Sequence, residues 1–162
     1  MNTKYEFTGQ TKEFFGHTLR RIRALCTFGD VTKGDLGGWI ESEANLEVFG
    51  NGWVFDNGRV FDNGRVSGNG QVFGDGRVSG DGQVSGDADF FLAGPLGSRR
   101  AFLTIHADVK IGVRFTTGCF SGTEKEFRDA IQSTHENNDY AKQYRAAIDL
   151  ALLIVKPATD QR

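Results

Sequence analysis

Proline is nearly missing, with two residues in a chain of 162. With so little proline, the 22 glycines do not mark a collagen-like chain. Cysteine is equally scarce: Cys26 and Cys119 lie far apart and show no metal-ligand spacing, so reduced thiols are the expectation. A charge bias is also lacking. Nineteen Lys+Arg face 21 Asp+Glu, for a formal net charge of −2. Nothing global therefore marks a membrane surface or a nucleic-acid partner. No apolar run approaches the length of a transmembrane helix. The stretch MNTKYEFTGQTKEFF has no apolar h-region, so no signal peptide is expected. A Gly-rich phosphate loop with Lys-Ser/Thr is absent too.

What is present is a repeat. From Val48 the chain reads VFGNGW, VFDNGR, VFDNGR, VSGNGQ, VFGDGR, VSGDGQ, VSGDAD, seven hexads over residues 48–89. Valine recurs at 48, 54, 60, 66, 72, 78 and 84, and Gly or Ala at 52, 58, 64, 70, 76, 82 and 88. Asn or Asp recurs at 51, 57, 63, 69, 75, 81 and 87. Each hexad reads as a short strand plus a corner. Val points inward, and the Gly two places before the next Val also faces inward, where space is tight. The Gly/Asp-Asn/Asp pair supplies the corner, because these residues tolerate positive φ. One hexad cannot bury its valine alone, so coils must stack.

This pattern resembles the hexapeptide-repeat family of left-handed parallel β-helices, in which three hexads form one triangular coil. The handedness and the triangular section are implied by that resemblance alone. Upstream, Ile22, Phe28, Ile40 and Leu46 fall six or twelve apart, and Cys26, Thr32, Gly38 and Ala44 occupy the small-residue site. Gly34 breaks this series, and the register slips by two between Leu46 and Val54. The expected fold is therefore mainly β. Residues 1–16 form a lead-in, 17–93 a parallel β-helix (a hexapeptide-repeat solenoid), and 94–162 a small α+β unit with a β-hairpin and two helices.

Three hexads per turn would stack residues eighteen apart. Phe55, Phe73 and Phe91 then form an outward ladder on one face, with Arg59 over Arg77 as a basic rung pair. An exposed Phe stripe needs a cover. Either the C-terminal segment supplies it or other subunits do, as in a trimer about a threefold axis.

Past the repeats, Phe90-Phe91-Leu92 reads as a last strand. The turn-rich connector Gly94-Pro95-Leu96-Gly97-Ser98-Arg99-Arg100 follows. Phe102–His106 and Val109–Phe115 read as a hairpin about Asp108. Thr123-Glu124-Lys125-Glu126 is a capping box opening a helix to about Thr134, and a second helix runs from about Asp139 to Val155.

Together, Gly34-Asp35-Leu36-Gly37-Gly38-Trp39-Ile40-Glu41, the hexads, Gly94-Pro95-Leu96-Gly97-Ser98-Arg99, Gly118-Cys119-Phe120-Ser121-Gly122-Thr123 and Gln143-Tyr144-Arg145-Ala146-Ala147-Ile148 resemble small hexapeptide-repeat proteins encoded by phages and prophages. That group usually has Ala where this chain mostly has Gly, a departure expected to lower local stability. The resemblance implies a phage context and a bacterial cytoplasmic setting, and it supplies no activity.

Three functional classes compete. The lead is a non-enzymatic, oligomeric binding protein that inhibits or sequesters a host-defence component, either a protein effector or a nucleotide signal. The alternatives are a hexapeptide-type acyl-CoA-dependent acyltransferase and a structural phage protein. Hexapeptide acyltransferases resemble one another in a His base on a loop leaving the coils, but His17, His106 and His135 all lie outside the hexads. The hexads also hold no histidine for the zinc of gamma-type carbonic anhydrases, so no metal or other cofactor is expected. Direct nucleic-acid binding and DNA mimicry are disfavoured, because Arg59, Arg65 and Arg77 interleave with the corner acids. The candidate ligand site is Ser98, Arg99 and Arg100 with Thr117 and Cys119, suited to a phosphate or carboxylate, and the helix start at Thr123 could lie nearby. The competing reading is that Arg99 pairs with Glu126 or Asp129.

Overall fold

The chain divides into two units, Met1–Asp87 and Ala88–Arg162. A computed structural model describes residues 1–158. The first unit begins with strands β1 (Tyr5–Phe14) and β2 (His17–Ala24), an antiparallel hairpin. Its turn is Phe15-Gly16, with φ of 46° and 82°. Positive φ at both central residues matches the twist of a two-residue hairpin. Strand β3 (Leu36–Ile40) pairs antiparallel with β2.

The hexads then supply six two-residue strands: β4 (Trp53–Val54), β5 (Arg59–Val60), β6 (Arg65–Val66), β7 (Gln71–Val72), β8 (Arg77–Val78) and β9 (Gln83–Val84). They pair in parallel eighteen residues apart, Val54 with Val72, Val60 with Val78 and Val66 with Val84. All six valines are 0% exposed. Each burial contributes roughly 1.5–3 kcal/mol. Between strands, φ is positive at Gly50, Asp56, Asp62, Gly68, Gly74 and Gly80, every sixth residue.

The expected parallel β-helix is nevertheless overturned. The sheets are small and mixed: a five-stranded sheet of order β1-β2-β3-β5-β8, and the two-stranded pairs β4-β7 and β6-β9. Residues 17–24, expected to be irregular repeats, form the antiparallel strand β2. The hexads are too few to extend two of their ladders beyond a single pair, and β1–β3 impose an antiparallel start on the third. The repeat also starts later than expected. Val48 is 37% exposed, and Leu46 (1%) takes the inward place, bridged to Val66 twenty residues on.

The inward glycines are tight. A Cβ on Gly58 would sit 3.0 Å from Val54 Cγ1 and 3.1 Å from Val72 Cγ1. At Gly70 it would strike the Val84 carbonyl. There the departure from Ala follows from lack of space.

The second unit is an antiparallel meander of β10 (Phe90–Leu96), β11 (Ala101–Asp108), β12 (Gly112–Thr117) and β13 (Phe120–Gly122). Because β10 pairs with β11, the division falls at 87/88 rather than 93/94. Asp108 Oδ1 accepts the N–H groups of Lys110 and Ile111. That turn delays β12 to Gly112, later than the alternation of Val109 and Ile111 suggested.

Helix α1 (Glu124–His135) starts at the expected capping box, with Thr123 Oγ1 accepting from Glu126 N–H. Helix α2 (Asp139–Ile154) is capped by Asn138. Leu103, Ile105 and Phe115 of the sheet pack with Phe127, Ile131, Tyr144, Ile148 and Ala151 of the helices.

Candidate functional site

A cleft of about 260 Å³ lies in the second unit, and its walls include Ser98, Arg99, Thr117, Cys119, His135 and Tyr144. An apolar recess of about 130 Å³ shares Thr117, Phe120, His135 and Tyr144 and extends to Phe127 and Ile131. Four of the five residues expected to form a ligand site thus meet. Arg100 is not among the lining residues.

The meander explains the convergence. The β10–β11 turn and the β12–β13 turn leave the same end of an up-and-down sheet. In the first turn, Gly97 has φ 75° and Arg100 φ 50°. The Gly97 N–H donates to Gln143 Oε1, and the Arg100 N–H donates to the Gly97 carbonyl. A Cβ on Gly97 would strike the Tyr144 hydroxyl, so glycine is what lets this ring lie over the turn.

The electrostatics are mixed. Arg99 forms no ion pair among the described residues, since Asp129 pairs with Lys125 and Glu126 accepts from Thr123. Its charge is left facing the cleft. Burial pushes the Tyr144 phenol above its ordinary pKa, and the Thr117 hydroxyl and Arg99 partly oppose that shift. Thr117 is 9% exposed, yet its Oγ1 has no partner in hydrogen-bonding geometry.

The imidazole of His135 stacks on Tyr144 at 6.0 Å and 20°. His135 closes the C-terminal turn of α1, so the helix start at Thr123 does not line the cleft. The carbonyl end of a helix repels anions. An anionic group is therefore directed to the Ser98–Arg99 side, and a planar ring to the His135–Tyr144 side.

The other singled-out residues sit elsewhere. Phe73 is 44% exposed and Phe55 half-buried, both in the first unit. Phe91 belongs to β10 of the second unit and packs on its core, so it does not continue that ladder. Arg59 and Arg77 are registered neighbours, as expected. Of the histidines, His106 is 0% exposed. His17 lies between Glu41 Oε2 (2.8 Å) and Asp62 Oδ1 (3.4 Å). His17, Glu41 and Asp62 offer ligand-type atoms within 4.8 Å of one another, a grouping of the kind that could hold a metal ion and that is also common without one.

No family model matches this chain, and no curated protein matches it. The site must be read from its own chemistry. Sequence reasoning missed Tyr144, His135 and Phe120 as cleft walls. Tyr144 carried a core signal, its helical spacing, and nothing local showed that its ring edge reaches Gly97. In addition, no helix among the described residues is long and apolar enough to cross a membrane.

Proposed function

We propose that this is a phage-encoded, non-enzymatic binding protein that sequesters a nucleotide-type signal of host defence in the bacterial cytoplasm. The phage context rests on the motif resemblance. The nucleotide class rests on one observation above all: a free Arg99 and an aromatic wall of His135 and Tyr144 flank the unpartnered hydroxyl of Thr117. A guanidinium suits a phosphate. An aromatic wall suits a base, whose ring edge can also accept from or donate to a hydroxyl. Sequestration needs binding alone, so it asks for no general base in the cleft.

Native mass spectrometry of protein purified gently from bacterial cells tests this reading. The expected result is an oligomer carrying a nucleotide-sized mass. Arg99 is exposed, so Arg99→Ala should fold normally and bind at least about ten-fold more weakly, the loss expected for a charge-assisted hydrogen bond. Thr117→Val, nearly isosteric, should weaken binding several-fold. A ligand-free species that also fails to bind mono-, di- and cyclic nucleotides in calorimetry would sink the proposal and favour a protein target.

A further inference from the structure

One face of the five-stranded sheet collects cations. Arg21 is registered with Trp39, Trp39 with Arg59, and Arg59 with Arg77, in a row across β2, β3, β5 and β8. Registered residues on strands about 4.8 Å apart project to the same side. Lys12 joins them from β1, its Nζ 4.4 Å from the Trp39 ring centre, while the Arg21 guanidinium lies 5.7 Å from the same ring. Phe14 sits 4.4 Å from the Arg59 guanidinium and 5.5 Å from that of Arg77.

The aromatic rings hold these cations in place without neutralising them. Among the described residues, no carboxylate forms an ion pair with Lys12, Arg21 or Arg59. The Arg59 Nη2 donates to the Asp75 carbonyl (2.8 Å), and the Arg21 Nε to the Gly37 carbonyl (3.2 Å). Both acceptors are neutral. The Arg59 Nε and the Trp39 Nε1 are buried with no partner. Burial drives the Lys12 ammonium below its ordinary pKa; the positive charges of Arg59 and Arg21 push the same way, and the Asp75 carboxylate opposes them. Burial also lowers Arg59, against the pull of Asp75.

We propose that this row is a binding site for a tetrahedral oxyanion of the phosphate class, held by Lys12, Arg21 and Arg59 around Trp39. A cluster that offers only donors calls for an acceptor-only ligand. Lys12 feels the positive charges of Arg59 and Arg21, and a multiply charged anion among the three offsets that repulsion. Guanidinium forks match phosphate oxygens. Lys12 already lies on the Trp39 ring, so the indole serves as a cation platform, and the ligand is the phosphate group rather than a stacked base. The flexible Lys12 stem can swing aside to admit it. The site lies in the first unit and is independent of the Arg99 cleft.

The test is a titration of the full chain with inorganic phosphate at constant ionic strength, followed by the two indole N–H signals in nitrogen-15 NMR. Trp53, 1% exposed, is the internal control, and Trp39→Phe assigns the pair. The expected result is a saturable shift at Trp39 with Trp53 unmoved. Arg59→Gln should weaken it at least ten-fold and Lys12→Gln several-fold, while Arg99→Ala leaves it unchanged. If Arg59→Gln fails to fold, as an altered Trp53 signal would reveal, Lys12→Gln and the wild-type curve still decide. A linear, chloride-like response at Trp39, or one indifferent to Lys12, overturns the proposal.

Discussion

Acidification from pH 7 to pH 4 is expected to destabilise the second unit by about 3 kcal/mol, with the loss traced to His106. This imidazole is 0% exposed, and its Nδ1 lies 2.8 Å from the Ala107 carbonyl. Burial pushes its pKa down from 6.5 to about 4, against the Ala107 bond and the pull of Asp108. In the unfolded chain the ring takes up its proton near 6.5, whereas the folded chain refuses it until about 4. Between those values the unfolded state binds more protons, so stability falls as pH falls. Asp108 titrates outside this window. Burial raises its carboxyl, but Arg114 at 2.8 Å and two N–H donors outweigh that, and its net pKa lies below the ordinary 3.8. Its contribution is therefore present above 3.8 and lost only at lower pH.

Urea unfolding at several pH values measures the effect. Both α-helices of the described residues belong to the second unit, so the far-ultraviolet helical signal reports on it. Trp39 and Trp53 both lie in the first unit, and their fluorescence reports on that one. His106→Gln lacks the titrating ring and should flatten the slope in helical stability between pH 6.5 and 4. Equal slopes in the two proteins would show that His106 is not the cause.

Gly70→Ala is the second large effect. The added methyl would meet the Val84 carbonyl oxygen and lie 2.7 Å from its carbon. Backbone cannot yield as a side-chain end can, and overpacking of this kind costs about 3 kcal/mol or more. Gly86→Ala is the control. Nothing lies within 4 Å of its Cβ position, and its φ is not positive. That variant should be neutral or gain up to about 1 kcal/mol through a less flexible unfolded chain. Tryptophan fluorescence during urea unfolding separates the two, and equal midpoints would remove the space argument.

Some of this architecture was already written locally. A strand every six residues, a corner at positive φ and inward valines follow from the hexads, because side-chain facing and turn chemistry are local properties. The partner eighteen residues on was implied by the family resemblance, since the number of hexads per turn is not local. The capping box at Thr123 placed the start of α1 in the same way. Pairing between distant segments was decided elsewhere. The antiparallel β1–β2–β3 arrangement replaced the continuation of the repeat, since Ile22 satisfies a six-residue pattern and an antiparallel strand equally well. The inward place of Leu46 was legible in the upstream six-residue series, whereas the exposure of Val48 was decided by the bridge from Leu46 to Val66.

The candidate site divides along the same line. Ser98, Arg99 and Cys119 in turns and Thr117 at a strand end were recognisable as residues with useful chemistry. Their meeting, and the arrival of Tyr144 and His135 beside them, was decided only by the tertiary structure. An up-and-down meander brings alternate turns to one end, and helix packing then sets which aromatic edges reach that end. Both are long-range pairings, which a local pattern cannot encode.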